Sequence, residues 1–215
     1  MRIRKRSWTQ EVLILAKEKN LVTTTPEIYK GKWKQWLKSS NLHVEIGAGK
    51  GDYYLGMSEM YPSSGWVSIE KEETVAAYAL RKALEKFPPN GLFVIADAKD
   101  ISEWFSEGEI DAIHLNFSDP WPKKAHHKRR LTSSSFLDDY HSLLSSKGEI
   151  ILKSDNQSFF EDSVVIISNH KFYLVDLWVD FRKDNHPEDV ITEYEQRFID
   201  LNQPIYKAIW RKRND

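Results

Sequence analysis

The 215-residue chain contains no cysteine. That absence removes disulfides, thiolate metal sites and cysteine nucleophiles together, and it suits a reducing cytoplasm, the expected location. Long apolar runs are missing as well. No stretch approaches the roughly 18 residues that a membrane span needs, so no membrane association is expected. The basic start, Met1 to Arg6, leads into no apolar segment, and no secretory leader is expected. Nor is there an excess of one charge: 31 Lys+Arg stand against 32 Asp+Glu, a formal net charge of −1. Binding to a polyanion therefore requires basic residues gathered locally. Two runs qualify: Arg2, Arg4, Lys5 and Arg6, and residues 123–130. Internal repeats and low-complexity linkers are absent too.

What remains is a globular composition, 40% hydrophobic and 29% charged, long enough for one large core. Residues 1–40 are polar, with one helical stretch near Gln10–Lys19. They are expected to form an extension that packs on or near a 41–215 domain and is partly mobile. From residue 42 strand and helix patterns alternate. Strands are expected at Leu42–Ile46, Trp66–Ile69, Leu92–Ile95, Ile110–Leu115 and Glu149–Lys153. Between them, Val75, Ala76, Ala79, Leu80, Ala83 and Leu84 form one apolar helical stripe. Helices are also expected at Asp52–Tyr61, Phe136–Leu144 and Gln157–Ser168. Phe172–Val179 and Ile205–Trp210 are late strands. This order predicts an α/β sandwich around a mostly parallel sheet, with an antiparallel addition at one edge.

In such sheets ligands bind beyond the carboxyl ends of the strands. Several carboxylates fall there: Glu70, Asp97, Asp119 and Asp155. The first strand runs into Glu45-Ile46-Gly47-Ala48-Gly49-Lys50-Gly51, a glycine turn that lets a ligand approach the backbone closely. A dinucleotide fingerprint would put its third glycine at Asp52, which disfavours NAD. The P-loop pattern is missing, so Lys50 is an ordinary surface lysine. S-adenosylmethionine fits better, because its sulfonium and ammonium groups favour carboxylates such as Glu45. Glu70 can accept from ribose hydroxyls, and Asp97 can meet the adenine amino group.

The densest chemistry lies in Asn116-Phe117-Ser118-Asp119-Pro120-Trp121-Pro122-Lys123-Lys124. A carboxylate, a ring flanked by prolines and a basic run there suit work on a nucleobase within folded nucleic acid. Lys123, Lys124, Lys128, Arg129 and Arg130, helped by His126 and His127, are the expected phosphate contacts. A metal site at the two adjacent histidines is not expected, since no ligand spacing accompanies them. Asp155 could equally cap a helix, and Glu193 and Glu195 could lie on a solvated helix face. Trp66 and Trp178 are expected in the core.

These segments, with Lys30-Gly31-Lys32-Trp33, His127-Lys128-Arg129-Arg130-Leu131-Thr132, Lys153-Ser154-Asp155-Asn156 and Thr192-Glu193-Tyr194-Glu195, resemble the bacterial tRNA (guanine-N7-)-methyltransferases over nearly the full length. The resemblance implies a Rossmann-like class I methyltransferase fold with a mostly parallel seven-stranded sheet, one antiparallel edge strand and helices on both faces. It implies S-adenosylmethionine as donor, S-adenosylhomocysteine as product, and N7 of guanosine at tRNA position 46 as acceptor. Glu45, Gly47, Gly49, Glu70, Asp97 and Asp119 would hold the cofactor, with Asp119 also catalytic. Lys123, Asp155, Thr192, Glu193, Tyr194 and Glu195 would form the guanosine site, and residues 123–130 would touch RNA. Ala125 stands where relatives often carry arginine. The family includes monomers and homodimers.

Guanine N7 carries a lone pair and no proton, so methylation needs no obligatory general base. It needs alignment, together with negative groups beside the ring as it gains charge. Asp119, Asp155 and Glu193 are assigned that role. Two alternatives compete. Exocyclic-amine methyltransferases carry a second proline before the aromatic, which Asp119-Pro120-Trp121 lacks. A non-catalytic RNA-binding module on the same fold would not need acidic strand ends.

Overall fold

The computed structural model describes Arg6 to Asn214; Arg2, Arg4 and Lys5 lie outside the described residues. Two compact units divide between Ser106 and Glu107. The first contains α1 (Thr9–Glu18), β1 (Val22–Thr23), α2 (Trp33–Trp36), β2 (Asn41–Ile46), α3 (Asp52–Met60), β3 (Ser64–Ile69), α4 (Glu73–Lys86), β4 (Gly91–Val94) and α5 (Ile101–Trp104). Its strands are all parallel, in the order β1-β4-β3-β2. Every residue of β3 is buried, which suits a parallel strand covered on both faces. The α4 stripe of Ala76, Ala79, Leu80 and Ala83 is buried as its spacing requires. Trp33 stacks on Phe105 with ring centroids 5.2 Å apart and donates its indole N–H to the Trp104 carbonyl at 2.8 Å. Trp66 is fully buried beneath His43.

Residues 6–40 contribute directly to this unit. β1 adds two residues beside β4, a strand too short to show any alternation in the sequence. α1 packs on α4, where Trp8 meets Tyr78 edge-on and Arg81 lies over the Trp8 ring.

The second unit contains β5 (Ile110–Asn116), α6 (Ser134–Leu143), β6 (Leu144–Ser154), α7 (Gln157–Ser168), β7 (Phe172–Trp178), α8 (Glu193–Asp200) and β8 (Tyr206–Lys212), with strand order β5-β6-β8-β7. β5 and β6 are parallel, and β8 is antiparallel to both its neighbours. The two late strands form the antiparallel addition, with β8 entering between β6 and β7. β1 makes eight strands among the described residues where seven were expected. Trp178 is half-buried at the end of β7 rather than in the core.

Candidate active site

In the first unit the parallel register brings the carboxyl ends of β2, β3 and β4 together. Ile46 pairs with Ile69, and Ile69 with Val94, so the segments that follow these residues leave the sheet side by side. The turn after β2 is fastened by main-chain bonds: Gly47 and Ala48 donate to the Ile69 carbonyl at 2.9 and 3.0 Å. Glu70 then ties the turn from the next strand. One of its oxygens accepts from Gly49 N–H at 3.2 Å and the other from Glu72 N–H at 3.0 Å. Burial raises the Glu70 carboxyl above its ordinary value, and these amide bonds oppose that only in part.

Gly47 and Gly51 have different reasons to be glycine. Both have positive φ, +79° and +74°. A Cβ on Gly51 would come 2.7 Å from the Ala79 Cβ on α4, so close helix packing requires the glycine. A Cβ on Gly47 would meet nothing within 4 Å. The turn thus presents open space over a left-handed backbone, a cradle that a ligand can enter. Glu45 is buried, and its Oε2 accepts from the Ser68 hydroxyl at 3.5 Å. Asp97 is exposed and caps a short 3-10 turn, accepting from Lys99 N–H at 3.2 Å.

In the second unit Asn116 pairs with Lys153, so the Asp119 loop and the Asp155 turn leave adjacent parallel strands at one end. The loop is strained: Phe117 has φ +52° and Trp121 φ +40°. Such a conformation costs on the order of 1–3 kcal/mol per residue and persists only where the surroundings enforce it. Two anchors do so here. Phe117 N–H donates to the Lys153 carbonyl at 2.8 Å, and Arg130 Nε donates to the Pro120 carbonyl at 2.8 Å. Asp119 is exposed within the loop. The Ser118 hydroxyl oxygen is buried and has no hydrogen-bond partner among the described residues.

Tyr194, in the first turn of α8, packs on the Phe117 ring at 5.1 Å and donates its hydroxyl to Asp155. Burial raises the Asp155 carboxyl, and the Tyr194 bond is among the opposing contributions. Tyr194 is itself raised, first by burial and then by Asp155, with a smaller contribution from Asp119. Asp119 and Asp155 therefore both lie within electrostatic reach of Tyr194. The helix-capping alternative for Asp155 goes instead to its neighbour: Asn156 Oδ1 accepts from Phe159 N–H at 2.9 Å.

The basic segment forms a 3-10 helix over Lys124–Arg129. Lys123, Lys124, Lys128 and Arg129 are exposed, and His126 and His127 are half-buried. Arg129 lies over the Trp121 ring at 5.1 Å, and His126 meets that ring edge-on.

Three residues expected at ligands are engaged inside the protein. Arg130 is 4% exposed, bonded to Pro120 and to Asp162 at 2.9 Å. Glu195 does not lie on a solvated helix face: it is fully buried, with its carboxylate held by Arg182 at 2.6 Å and by Lys153 at 3.3 Å. Thr192 is buried as the N-cap of α8, accepting from Glu195 N–H at 3.1 Å. Glu193 remains exposed and pairs with Arg197 at 2.9 Å.

Sequence reasoning passed over Arg182 and Asp189, and it marked the segment holding Phe117 and Ser118 without assigning either a role. Asp189 accepts from Lys153 at 2.6 Å, Arg182 at 2.6 Å and Lys207 at 2.9 Å. Burial would raise its carboxyl, but Lys153 and Lys207 outweigh that and hold it well below the carboxylate range. A usable signal did exist, since Lys153 and Lys207 interrupt apolar strand patterns. Among the described residues no group of three or more His, Cys, Asp or Glu side chains is placed to hold a metal ion. No described helix is long and apolar enough to cross a membrane.

Residues 39–208 match the family described as putative methyltransferase. Solved methyltransferases share the architecture. The 16S rRNA methyltransferase KamB superposes with a TM-score of 0.64 at 13% identity, covering 86% of this chain and 94% of its own. A SAM-dependent methyltransferase from Aquifex aeolicus gives 0.58 at 12%, covering 95% and 98%. Strand order, glycine turn and family match together define a class I methyltransferase. Among curated relatives, the tRNA (guanine-N(7)-)-methyltransferase of Lactococcus lactis subsp. cremoris strain MG1363 is 40% identical over 210 residues, 96% of each chain. That of Streptococcus suis strain 05ZYH33 is 41% identical over 209 residues, 97% of this chain and 98% of its own. The chain belongs to the tRNA (guanine-N7-)-methyltransferase family.

Proposed function

We propose that the protein methylates N7 of guanosine 46 in the tRNA variable loop, using S-adenosylmethionine and releasing S-adenosylhomocysteine. One observation carries the assignment: Tyr194 packs on the Phe117 ring and interacts with both Asp155 and Asp119, on the unit that also bears the exposed basic turn. A purine fits between an aromatic face and groups that accept hydrogen bonds, while the lysines hold its phosphates.

S-adenosylmethionine supplies an electron-poor methyl group on a sulfonium. Glu45, Glu70 and Asp97 are assigned to it, with Gly47 and Gly49 giving room at the turn. The open space beside Gly47 supports that assignment. On the acceptor side, N7 already carries its lone pair, and no residue need remove a proton. The work of the chain is alignment, worth roughly 7–11 kcal/mol in favourable cases, and stabilisation of positive charge developing on the purine. Asp119, Asp155 and Glu193 supply the negative charge and accept from the N1–H and N2–H edge. Lys123, Lys124, Lys128 and Arg129 bind phosphate. Because the Asp155 carboxyl is raised, it protonates at a higher pH than an ordinary aspartate, and activity should decline from that side as the medium is acidified.

The deciding experiment is mass mapping of unmodified tRNA after incubation with protein and methyl donor. N7-methylguanosine at position 46 is the expected product. A methyl group on an exocyclic amine, or none at all, would refute the assignment.

A further inference from the structure

We propose that Arg182 and Asp189 are positioning residues for the guanosine-binding groups: they clamp Glu195 beneath the first turn of α8 and so hold Tyr194 against Phe117 and Asp155. The inference rests on the reaction assigned above and extends it to residues that touch neither base nor donor.

The clamp is built from Lys153, Arg182, Asp189, Glu195 and Lys207. The Arg182 guanidinium spans two acids, giving Nε to Glu195 and Nη2 to Asp189, each at 2.6 Å. Further donations go to the main-chain carbonyls of Asp189 and Val190, both at 3.3 Å. Asp189 carries the connection to β6 through Lys153 and to β8 through Lys207. The Lys207 ammonium also lies 3.9 Å from the Phe181 ring centroid. Phe181 directly precedes Arg182, so the 181–190 segment is gripped at both ends.

Lys153 lies two residues before Asp155, and its carbonyl holds the strained Phe117. Glu195 follows Tyr194 directly in the capped first turn of α8. One buried network therefore reaches every segment that presents a base-contacting group in this unit. A buried ionic network adds little stability over a well-packed apolar plug, since desolvation consumes most of the attraction. What it adds is register, because charged partners at fixed distances do not slide. Arg182 suits this task better than a lysine would, since only a planar fork can bridge both carboxylates.

The test compares Arg182→Lys, Asp189→Asn, Tyr194→Phe and the Arg182→Lys/Tyr194→Phe double variant in the full chain. Measurements are kcat and KM on tRNA, together with the shift in melting temperature on adding S-adenosylmethionine. The clamp predicts a loss of about tenfold or more in kcat/KM for Arg182→Lys, within the range a small misplacement produces, with the donor-induced shift kept. It also predicts that the double variant loses little beyond the worse single one, because both remove the same contact. Wild-type kcat/KM in Arg182→Lys, or losses that multiply in the double variant, would overturn it. Should Asp189→Asn fail to fold, Arg182→Lys, which keeps the charge, decides the matter. If wild-type protein leaves tRNA unmethylated, the assigned reaction fails and amide exchange over residues 192–198 decides the clamp separately. Faster exchange in Arg182→Lys supports the clamp, and unchanged exchange overturns it.

Discussion

The two units fasten their functional carboxylates by opposite means. In the first, Glu70 is held by amides of Gly49 and Glu72, and the glycine turn hangs from the Ile69 carbonyl. Both of these ties are to main chain, and the parallel register of β2 and β3 brings the partners together. In the second, the Asp155–Tyr194 pair depends on a turn that Glu195, Arg182 and Asp189 hold by side-chain charge. Main-chain fastening leaves a carboxylate free to accept further bonds and tolerates surface change. Charge fastening fixes geometry over long sequence distances, but it makes the site answer to ionisation and to single substitutions far from the ligand.

The largest effect that separates these modes is expected at Asp189. Breaking a buried pair by removing one partner costs about 3–5 kcal/mol, so Asp189→Asn should lower stability by roughly that amount at neutral pH. The folded carboxyl is depressed below the ordinary aspartate value of 3.8. Its contribution is therefore fully present above pH 3.8 and is lost as pH falls through the folded value. Denaturant titrations should show the gap between wild type and variant closing below about pH 3.8; a gap constant down to pH 2 would break the argument. Next in size is Asp119→Ala. Loss of a group that stabilises transition-state charge should reduce kcat on tRNA by about 100- to 1,000-fold, with little change in melting temperature because Asp119 is exposed.

This contrast also explains what the sequence alone makes visible. The five strands expected in the 42–168 region follow from their apolar runs, and Gln157–Ser168 forms as predicted. β6 nevertheless starts at Leu144, five residues before the expected Glu149; its first half is polar and shows no apolar run. The glycine turn, Glu45 within β2 and the acids after β3 and β4 were legible because their ties are local or lie between neighbouring strands. The 181–195 segment was not. Asp189 and Glu195 sit in polar stretches that look solvated, and their partners are 36 and 42 residues away at Lys153. Arg130 misled for a related reason: within a basic run nothing marks the one guanidinium that turns inward to Pro120 and Asp162. The two-residue β1 exists only through pairing with β4, a tertiary effect with no periodicity of its own.

Within the first unit the two glycines sharpen the comparison. Gly51→Ala forces a contact with Ala79 at positive φ and should cost about 1–3 kcal/mol from overpacking, beyond the backbone strain. Gly47→Ala meets open space and should cost only about 1 kcal/mol of strain. It should, however, weaken S-adenosylmethionine binding measured by calorimetry, because the methyl group enters the cradle. Equal donor affinity in Gly47→Ala and wild type would remove the cradle.

The smallest effect concerns the exposed basic turn, and salt is the instrument that isolates it. Each phosphate contact contributes roughly 0.7–0.9 to the slope of log affinity against log salt. Lys124 is exposed, so Lys124→Ala should flatten that slope for tRNA by about this amount while stability changes by less than about 0.5 kcal/mol. Arg130→Gln should do the reverse. Its guanidinium holds the strained loop through Pro120, so removal should lower the melting temperature and kcat and leave the slope nearly intact. Filter-binding titrations across a salt series, run on both variants beside wild type, separate a charge that meets RNA from one that holds the fold. A flatter slope in Arg130→Gln than in Lys124→Ala would reverse the roles assigned to these two residues.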